Sequence, residues 1–216
     1  MAPQIITHVA GWIVTSVPSN PEWTSVPRLF HLIHEPRHGK ARISQQTLLK
    51  FAETYKAPPK LSEAIEKRKK LGGKSMVVIS CSDPRIHPSE YLGLGVGEAA
   101  VIRNAGGRTR DAMRSLLILD ALGSVGVVVV VHHTGKYCGM SQFGDHGEET
   151  FQHRIETKHP DLAKDYAGSL WGAIKDPYKT IVEDVDYLKS LPTIVENMEI
   201  FGLVLDTFTG HMKQIV

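Results

Sequence analysis

The stretch VVVVVHHTGKYCG, residues 127–139, decides the fold and also holds unusually reactive side chains. Its five consecutive valines form an unbroken β-branched run, which is typical of a strand buried on both faces in a parallel sheet. The valines lead into His132, His133 and Cys138. Imidazole and thiolate are the protein ligands that zinc favours. The stretch therefore predicts a buried strand with candidate metal ligands at its carboxyl end.

A second stretch, VVISCSDPR at residues 77–85, repeats this arrangement. Its apolar run ends at Cys81, and Asp83 and Arg85 follow. Taken alone, each stretch also fits a buried small cysteine and an ordinary surface turn. The two stretches together hold both cysteines of the chain, Cys81 and Cys138. This concentration favours one metal site over two unrelated turns.

Working outward from these stretches, apolar runs and helical periodicity alternate from residue 46 onward. Strands are predicted at residues 76–80, 100–103, 127–131 and 199–205, and helices at residues 48–55, 61–71, 112–122 and 180–191. The alternation predicts a single α/β domain over residues 46–216, with a mainly parallel β-sheet flanked by helices. Residues 1–45 are interrupted by prolines and are expected to form an irregular N-terminal arm.

The predicted topology gives a reason for distant residues to meet. Ligands of open parallel sheets bind beyond the carboxyl ends of the strands. Cys81 and His133 each follow such an end, so we expect them in one site. With Cys138 they would supply a Cys₂His set that leaves one zinc position open to water. Asp83 would accept a hydrogen bond from that water or hydroxide and orient it, and Arg85 would hold Asp83 ionised.

Composition excludes several other classes of function. The chain has 216 residues, 42% of them hydrophobic, and a net charge of +2. This charge gives no case for nucleic acid or an anionic membrane as partner. No apolar run approaches the roughly 20 residues that span a bilayer. Two cysteines in a chain of this length indicate free thiolates in a reducing compartment rather than a disulfide scaffold. A cytoplasmic location is therefore expected, with a mitochondrial one as the alternative.

Several ordered motifs resemble those of the β-class carbonic anhydrases. CSDPR at residues 81–85 matches the Cys-x-Asp-x-Arg signature, VIRNAGG at 101–107 resembles the R-N-A-G segment, and HHTGKYCGM at 132–140 resembles the His-x-x-Cys-Gly element. Residues 181–191 and 201–210 resemble the carboxyl end of the small bacterial-type members. The likeness runs from about residue 46 to the end of the chain and leaves the N-terminal arm unmatched.

The resemblance implies a zinc lyase on a β-carbonic anhydrase-like fold. It implies one Zn²⁺ per chain, held by Cys81, His133 and Cys138, with Asp83 and Arg85 as the catalytic dyad. The implied reaction is the reversible hydration of carbon dioxide to bicarbonate by attack of a zinc-bound hydroxide. The implied assembly is a homodimer or homotetramer.

One departure from the family pattern concerns the second cysteine. The family places two residues between the histidine and the cysteine, whereas four residues, 134–137, lie here between His133 and Cys138. The insertion either bulges outward, with Gly135 supplying the bend, or displaces Cys138. If Cys138 is displaced, His132 is the nearest substitute ligand. Adjacent residues of a strand point to opposite faces, so His132 and His133 are not expected to bind the same metal ion. We favour the bulge, because a displaced cysteine would leave the metal weakly held.

Two alternative functions stay open at this stage. Some relatives hydrolyse carbonyl sulfide or carbon disulfide, whose linear, electrophilic carbon resembles that of carbon dioxide. The other alternative is a zinc-binding scaffold protein whose catalysis is impaired by the insertion before Cys138. The intact sequence pair of Asp83 and Arg85 argues against such a scaffold.

Overall fold

The computed structural model describes residues 7–9, 12–13, 45–56, 58–70, 73–135 and 140–216. The chain divides into two compact units, Met1–Ala57 and Pro58–Val216. In the first unit, strands β1 (Thr7–Val9) and β2 (Trp12–Ile13) pair antiparallel within the segment expected to be irregular, and helix α1 spans Gln45–Thr54. Most of residues 1–45 lies outside the described residues, so the predicted arm stays a prediction.

The second unit alternates strands and helices along the chain. Its described elements are α2 (Leu61–Lys70), β3 (Ser75–Cys81), α3 (Pro88–Tyr91), β4 (Ala99–Asn104), α4 (Thr109–Gly123), β5 (Val125–His133), α5 (Gly147–Lys158), α6 (Pro160–Ala163), α7 (Pro177–Lys189), α8 (Pro192–Asn197), β6 (Glu199–Leu205) and β7 (Met212–Gln214). No described helix has the length and apolar character needed to cross a bilayer.

The sheet of this unit has five strands in the order β4-β3-β5-β6-β7. The pairs β3–β4, β3–β5 and β5–β6 are parallel, and β6–β7 is antiparallel. The predicted α/β fold with a mainly parallel, helix-flanked sheet is therefore confirmed. Its central strand, β5, is the valine run, and its neighbour β3 is the run that ends at Cys81.

Strands β3 and β5 are buried on both faces, as their unbroken apolar sequences require. On one face, Val128 and Val130 of β5 pack with Leu116 of α4 and with Ile181 and Val185 of α7. On the other face, alternate residues of the same strands pack with residues of the loops beyond the strand ends. Because side chains alternate along a strand, each strand end offers one residue to each face.

Helix α7 is placed on the first face by local signals. Asp176 accepts a hydrogen bond from the backbone N–H of Tyr178 at 2.9 Å, and Pro177 occupies the first turn. Both features favour a helix start at this point. The resulting register turns Thr180, Ile181 and other buried residues of α7 toward the sheet.

Candidate metal centre

Two of the three predicted ligands lie at the same edge of the sheet. β3 ends at Cys81 and β5 ends at His133, and the register pairs Ser80 with Val131 just before these ends. Cys81 is 4% exposed and belongs to the apolar cluster that contains Val131 and Leu205. Leu205 is the register partner of His133. The predicted convergence at the carboxyl edge is thus seen in the geometry of Cys81 and His133.

His133 presents a buried nitrogen that has no hydrogen-bond partner among the described residues. Its Nδ1 lies 3.0 Å from the carbonyl oxygen of Thr134. A carbonyl only accepts hydrogen bonds, so Nδ1 carries the proton and, in the neutral ring, Nε2 keeps its lone pair. A backbone carbonyl on the second ring nitrogen is the arrangement that orients metal-ligating histidines.

Asp83 faces that nitrogen. One of its oxygens, Oδ2, lies 3.9 Å from His133 Nε2, and its side chain is 6% exposed. The Nε2 lone pair and the Asp83 carboxylate therefore lie close together at this edge of the sheet. An imidazole lone pair and a buried thiol are donors that fit Zn²⁺, and the carboxylate lies beside them.

Arg85 grips Asp83 through three hydrogen bonds. Its Nε donates to Oδ1 at 2.9 Å, its Nη2 donates to Oδ2 at 2.6 Å, and its backbone N–H donates to Oδ1 at 2.9 Å. This is the bidentate fork that arginine forms with carboxylates. Burial raises the pKa of the Asp83 carboxyl, but the hydrogen bonds and charge of Arg85 outweigh it, so the pKa lies below its usual value. Asp83 is therefore ionised at neutral pH.

The third predicted ligand, Cys138, lies outside the described residues. Within the residues that are described, no group of three or more His, Cys, Asp or Glu side chains is arranged to hold a metal ion. The complete Cys81, His133 and Cys138 set therefore stays a prediction.

Gly135 has a backbone conformation that favours glycine. Its φ is +118°, and an added Cβ would lie 2.7 Å from the Thr207 hydroxyl oxygen, so a side chain is strained there. The chain before it is tied down, because Thr207 Oγ1 donates to the Thr134 carbonyl at 2.9 Å. Ser141 Oγ donates to the Gly135 carbonyl at 3.2 Å. Residues 136–139 lie outside the described residues, so the predicted bulge stays a prediction.

A second polar cluster, which the sequence reasoning did not identify, lies on the opposite face of β5. Asp184 of α7 is 2% exposed and lies 2.9 Å from Arg108 Nε and 3.0 Å from His132 Nε2. Thr109 Oγ1 donates to Asp184 Oδ1 at 2.7 Å. His132 Nε2 and Asp184 Oδ2 are close enough to form an ion pair when the imidazole is protonated. We call these four residues the Asp184 cluster.

A signal for this cluster does exist in the sequence. Asp184 falls on the apolar stripe of α7 between Ile181, Val185 and Leu188. A carboxylate in such a stripe is buried and requires a partner. The partner, His132, could not be read from local spacing because it lies on another element.

Comparison with known proteins agrees with this geometry. The family model described as carbonic anhydrase matches residues 76–211. Beta-carbonic anhydrase 1 of Mycobacterium tuberculosis is 31% identical over 147 residues, covering 66% of this chain and 82% of that protein. A carbon disulfide hydrolase of Acidithiobacillus thiooxidans is 28% identical over 151 residues, covering 63% of this chain and 74% of that protein.

Solved structures agree as well. The carbonic anhydrase from Glaciozyma antarctica matches with a TM-score of 0.60 and 27% identity, covering 81% of this chain and 97% of that one. The match to the family model spans more than half of the chain and includes β3, β4, β5 and the residues beyond their ends. The resemblance seen in the sequence motifs is thus confirmed, and the chain belongs to the β-carbonic anhydrase family.

Proposed function

We propose that this protein catalyses the zinc-dependent, reversible hydration of carbon dioxide to bicarbonate, with release of one proton. The observation that carries the proposal is the buried Nε2 of His133, which has no hydrogen-bond partner within the described part of the chain and lies 3.9 Å from the Asp83 carboxylate. Membership of a family of zinc enzymes supports the same reaction.

The residues present fit a zinc ion. Cys81 and His133 would hold it, together with Cys138, which the resemblance implies as the third ligand. Zinc, when bound, supplies the Lewis acidity that makes water a nucleophile at neutral pH. The lone pair of His133 Nε2 is kept available because the Nδ1–H donates a hydrogen bond to the Thr134 carbonyl.

Asp83 and Arg85 act on the reacting water. The ionised Asp83 carboxylate accepts a hydrogen bond from the nucleophile and thereby fixes its orientation toward the carbon. Arg85 donates one hydrogen bond to each carboxylate oxygen of Asp83. The carboxylate therefore cannot rotate freely. This orientation is the entropic part of catalysis, and misplacing a catalytic group by about 1 Å costs on the order of 10²-fold in rate.

The test is a comparison of two conservative variants in stopped-flow hydration of carbon dioxide. Asp83→Asn should lower kcat by about 10²-fold, with zinc content unchanged. Asp186→Asn is the matched control, because Asp186 is exposed on α7. Equal turnover in Asp83→Asn and wild type would overturn the proposed roles of Asp83 and Arg85.

Hydrolysis of carbonyl sulfide or carbon disulfide is the second candidate, and the similarity to a carbon disulfide hydrolase supports it. Carbonyl sulfide and one water give carbon dioxide and hydrogen sulfide, whereas carbon disulfide and two waters give carbon dioxide and two hydrogen sulfides. Release of hydrogen sulfide together with negligible hydration of carbon dioxide would select this candidate. Absence of every one of these activities in zinc-loaded protein would select the catalytically impaired zinc-binding scaffold.

A homodimer or homotetramer remains part of the proposal. Exposed apolar side chains support it: Val101 on the edge strand β4 is 40% exposed, and Leu117 and Leu122 on α4 are 50% and 83% exposed. Multi-angle light scattering on the full chain tests it, and a monomer at micromolar concentration would contradict it.

A further inference from the structure

Arg103, near the carboxyl end of β4, directs its guanidinium at the backbone that carries the proposed dyad. The register pairs it with Ser80, just before Cys81. Its Nε donates to the Cys81 carbonyl at 3.0 Å. Its Nη2 donates to the Asp83 carbonyl at 2.6 Å and to the Ile86 carbonyl at 2.9 Å. One planar cation therefore contacts three carbonyls of the segment 81–86.

This segment leaves the sheet just after Cys81. The last ladder contact is from the Ser82 N–H to the Asn104 carbonyl at 2.8 Å. Beyond it, the Ile86 N–H donates to the Asp83 carbonyl over 3.3 Å, which is a long hydrogen bond. The three shorter contacts of Arg103 therefore fix where the backbone of Asp83 lies relative to the strand.

The chemistry of the side chain suits this task. Guanidinium offers five N–H donors in a rigid plane, so carbonyls bound to it keep fixed relative positions. A lysine ammonium is a point charge on a flexible stem and cannot reproduce that fork. Gly107, whose added Cβ would lie 2.9 Å from the Cys81 backbone nitrogen, lets β4 and its following turn approach this segment closely.

We propose that Arg103 is a positioning residue: it holds the backbone from Cys81 to Ile86 so that Cys81 and the Asp83 carboxylate both face His133. The expected effect of Arg103 on the rate rests on the proposed hydration reaction. Its expected effect on the backbone of residues 81–86 rests on the hydrogen bonds alone. Arg103 acts through the carbonyls of the segment and contacts none of the reacting atoms.

The experiment compares Arg103→Met with the matched control Arg110→Met. Arg110 is exposed on α4, with its guanidinium 4.0 Å from the centre of the Tyr187 ring. Two quantities are measured on the full, zinc-loaded chain: kcat/KM for hydration of carbon dioxide, and amide hydrogen exchange of peptides that cover residues 82–87 and α7. A displacement of about 1 Å in a catalytic group costs on the order of 10²-fold in rate.

We expect Arg103→Met to lower kcat/KM by about 10²-fold and to accelerate exchange in residues 82–87 while exchange in α7 stays as in wild type. Millimolar guanidinium should restore part of the activity of Arg103→Ala, and Arg110→Met should behave as wild type. Arg103→Lys keeps the charge without the fork, so it should also exchange faster in residues 82–87.

The outcomes separate this inference from the proposed function. Full activity and unchanged exchange in Arg103→Met would overturn the positioning role and leave the hydration reaction intact. Equal acceleration of exchange in residues 82–87 and in α7 would also overturn it, because that result indicates a general loss of stability. A wild-type protein without hydration activity would refute the proposed function, whereas faster exchange confined to residues 82–87 would still support the positioning role. If Arg103→Met does not fold, the same measurements are made on Arg103→Lys. Wild-type kcat/KM and wild-type exchange of residues 82–87 in that variant would overturn the positioning role.

Discussion

Replacement of Asp184 by Asn should strongly destabilise the protein. The Asp184 carboxylate is 2% exposed and contacts Arg108, His132 and Thr109 at 2.9, 3.0 and 2.7 Å. Asn preserves the size of the side chain but removes its charge, so the Arg108 guanidinium loses its closest counter-ion while it stays largely buried. Breaking a buried ion pair by removing one partner costs about 3–5 kcal/mol. That loss is a large share of the about 5–15 kcal/mol that stabilises a typical domain.

The assay is equilibrium unfolding in urea, and Asp186→Asn is the control. Asp186 lies on the same helix but is exposed, so its replacement should change the free energy of unfolding by no more than about 0.5 kcal/mol. The slope of the free energy against urea should be equal in both variants, since it reports the surface exposed on unfolding. A free energy of unfolding for Asp184→Asn within about 1 kcal/mol of the control would refute the reasoning.

Acid should reduce the difference between wild type and Asp184→Asn. Burial raises the pKa of Asp184, but the contacts with His132, Arg108 and Thr109 lower it by more, so the folded-state pKa lies below its usual value. The stabilisation is therefore fully present above about pH 5, beyond the unfolded-state pKa of about 3.9, and is lost as pH falls through the folded-state pKa. Asp111 adds a nearby negative charge and does not reverse this sign. A difference that widens as the pH falls would contradict it.

Three further predictions concern the metal edge of the sheet. Gly107→Ala should lower the free energy of unfolding in urea by about 1–3 kcal/mol. The reason is that φ there is +70° and the added Cβ would lie 2.9 Å from the Cys81 nitrogen. An unchanged free energy of unfolding would show that the turn adjusts without cost. Cys138→Ser should lower zinc content well below one ion per chain by elemental analysis, and retained zinc would mean that another group is the third ligand. Dialysis against a zinc chelator should abolish hydration and added zinc should restore it, so full activity without metal would exclude the proposed mechanism.

Much of the architecture was accessible from the sequence because it depends on periodicity. Unbroken β-branched runs alternating with amphipathic helices predict a parallel sheet, and the observed register of β3 and β5 confirms it. Elements without such a pattern were not predicted. Helix α5 has the mainly polar sequence GEETFQHRIETK, and β7 has only three residues, so neither produces a clear apolar period.

The candidate site was predictable where it depends on strand ends and not where it depends on distant partners. Cys81 and His133 lie at the same edge of the sheet because the parallel strands β3 and β5 end there. The contacts of Arg103 with the segment 81–86 depend instead on the register of β4 beside β3. Similarly, Thr109 and Asp184 are 75 positions apart in the chain. Long-range pairs of this kind are fixed by tertiary packing, which local propensity does not encode.

The adjacent histidines show why packing, and not ligand chemistry, decides which one faces the metal edge. Strand alternation predicts that His132 and His133 point to opposite faces, but it does not say which face belongs to which. Val128 and Val130 pack under α7, and His132 has the same parity, so its ring is directed to α7. A histidine buried there needs a polar partner, and Asp184 in the apolar stripe of α7 supplies it. His133 must therefore face the other side, where Cys81 and Asp83 lie.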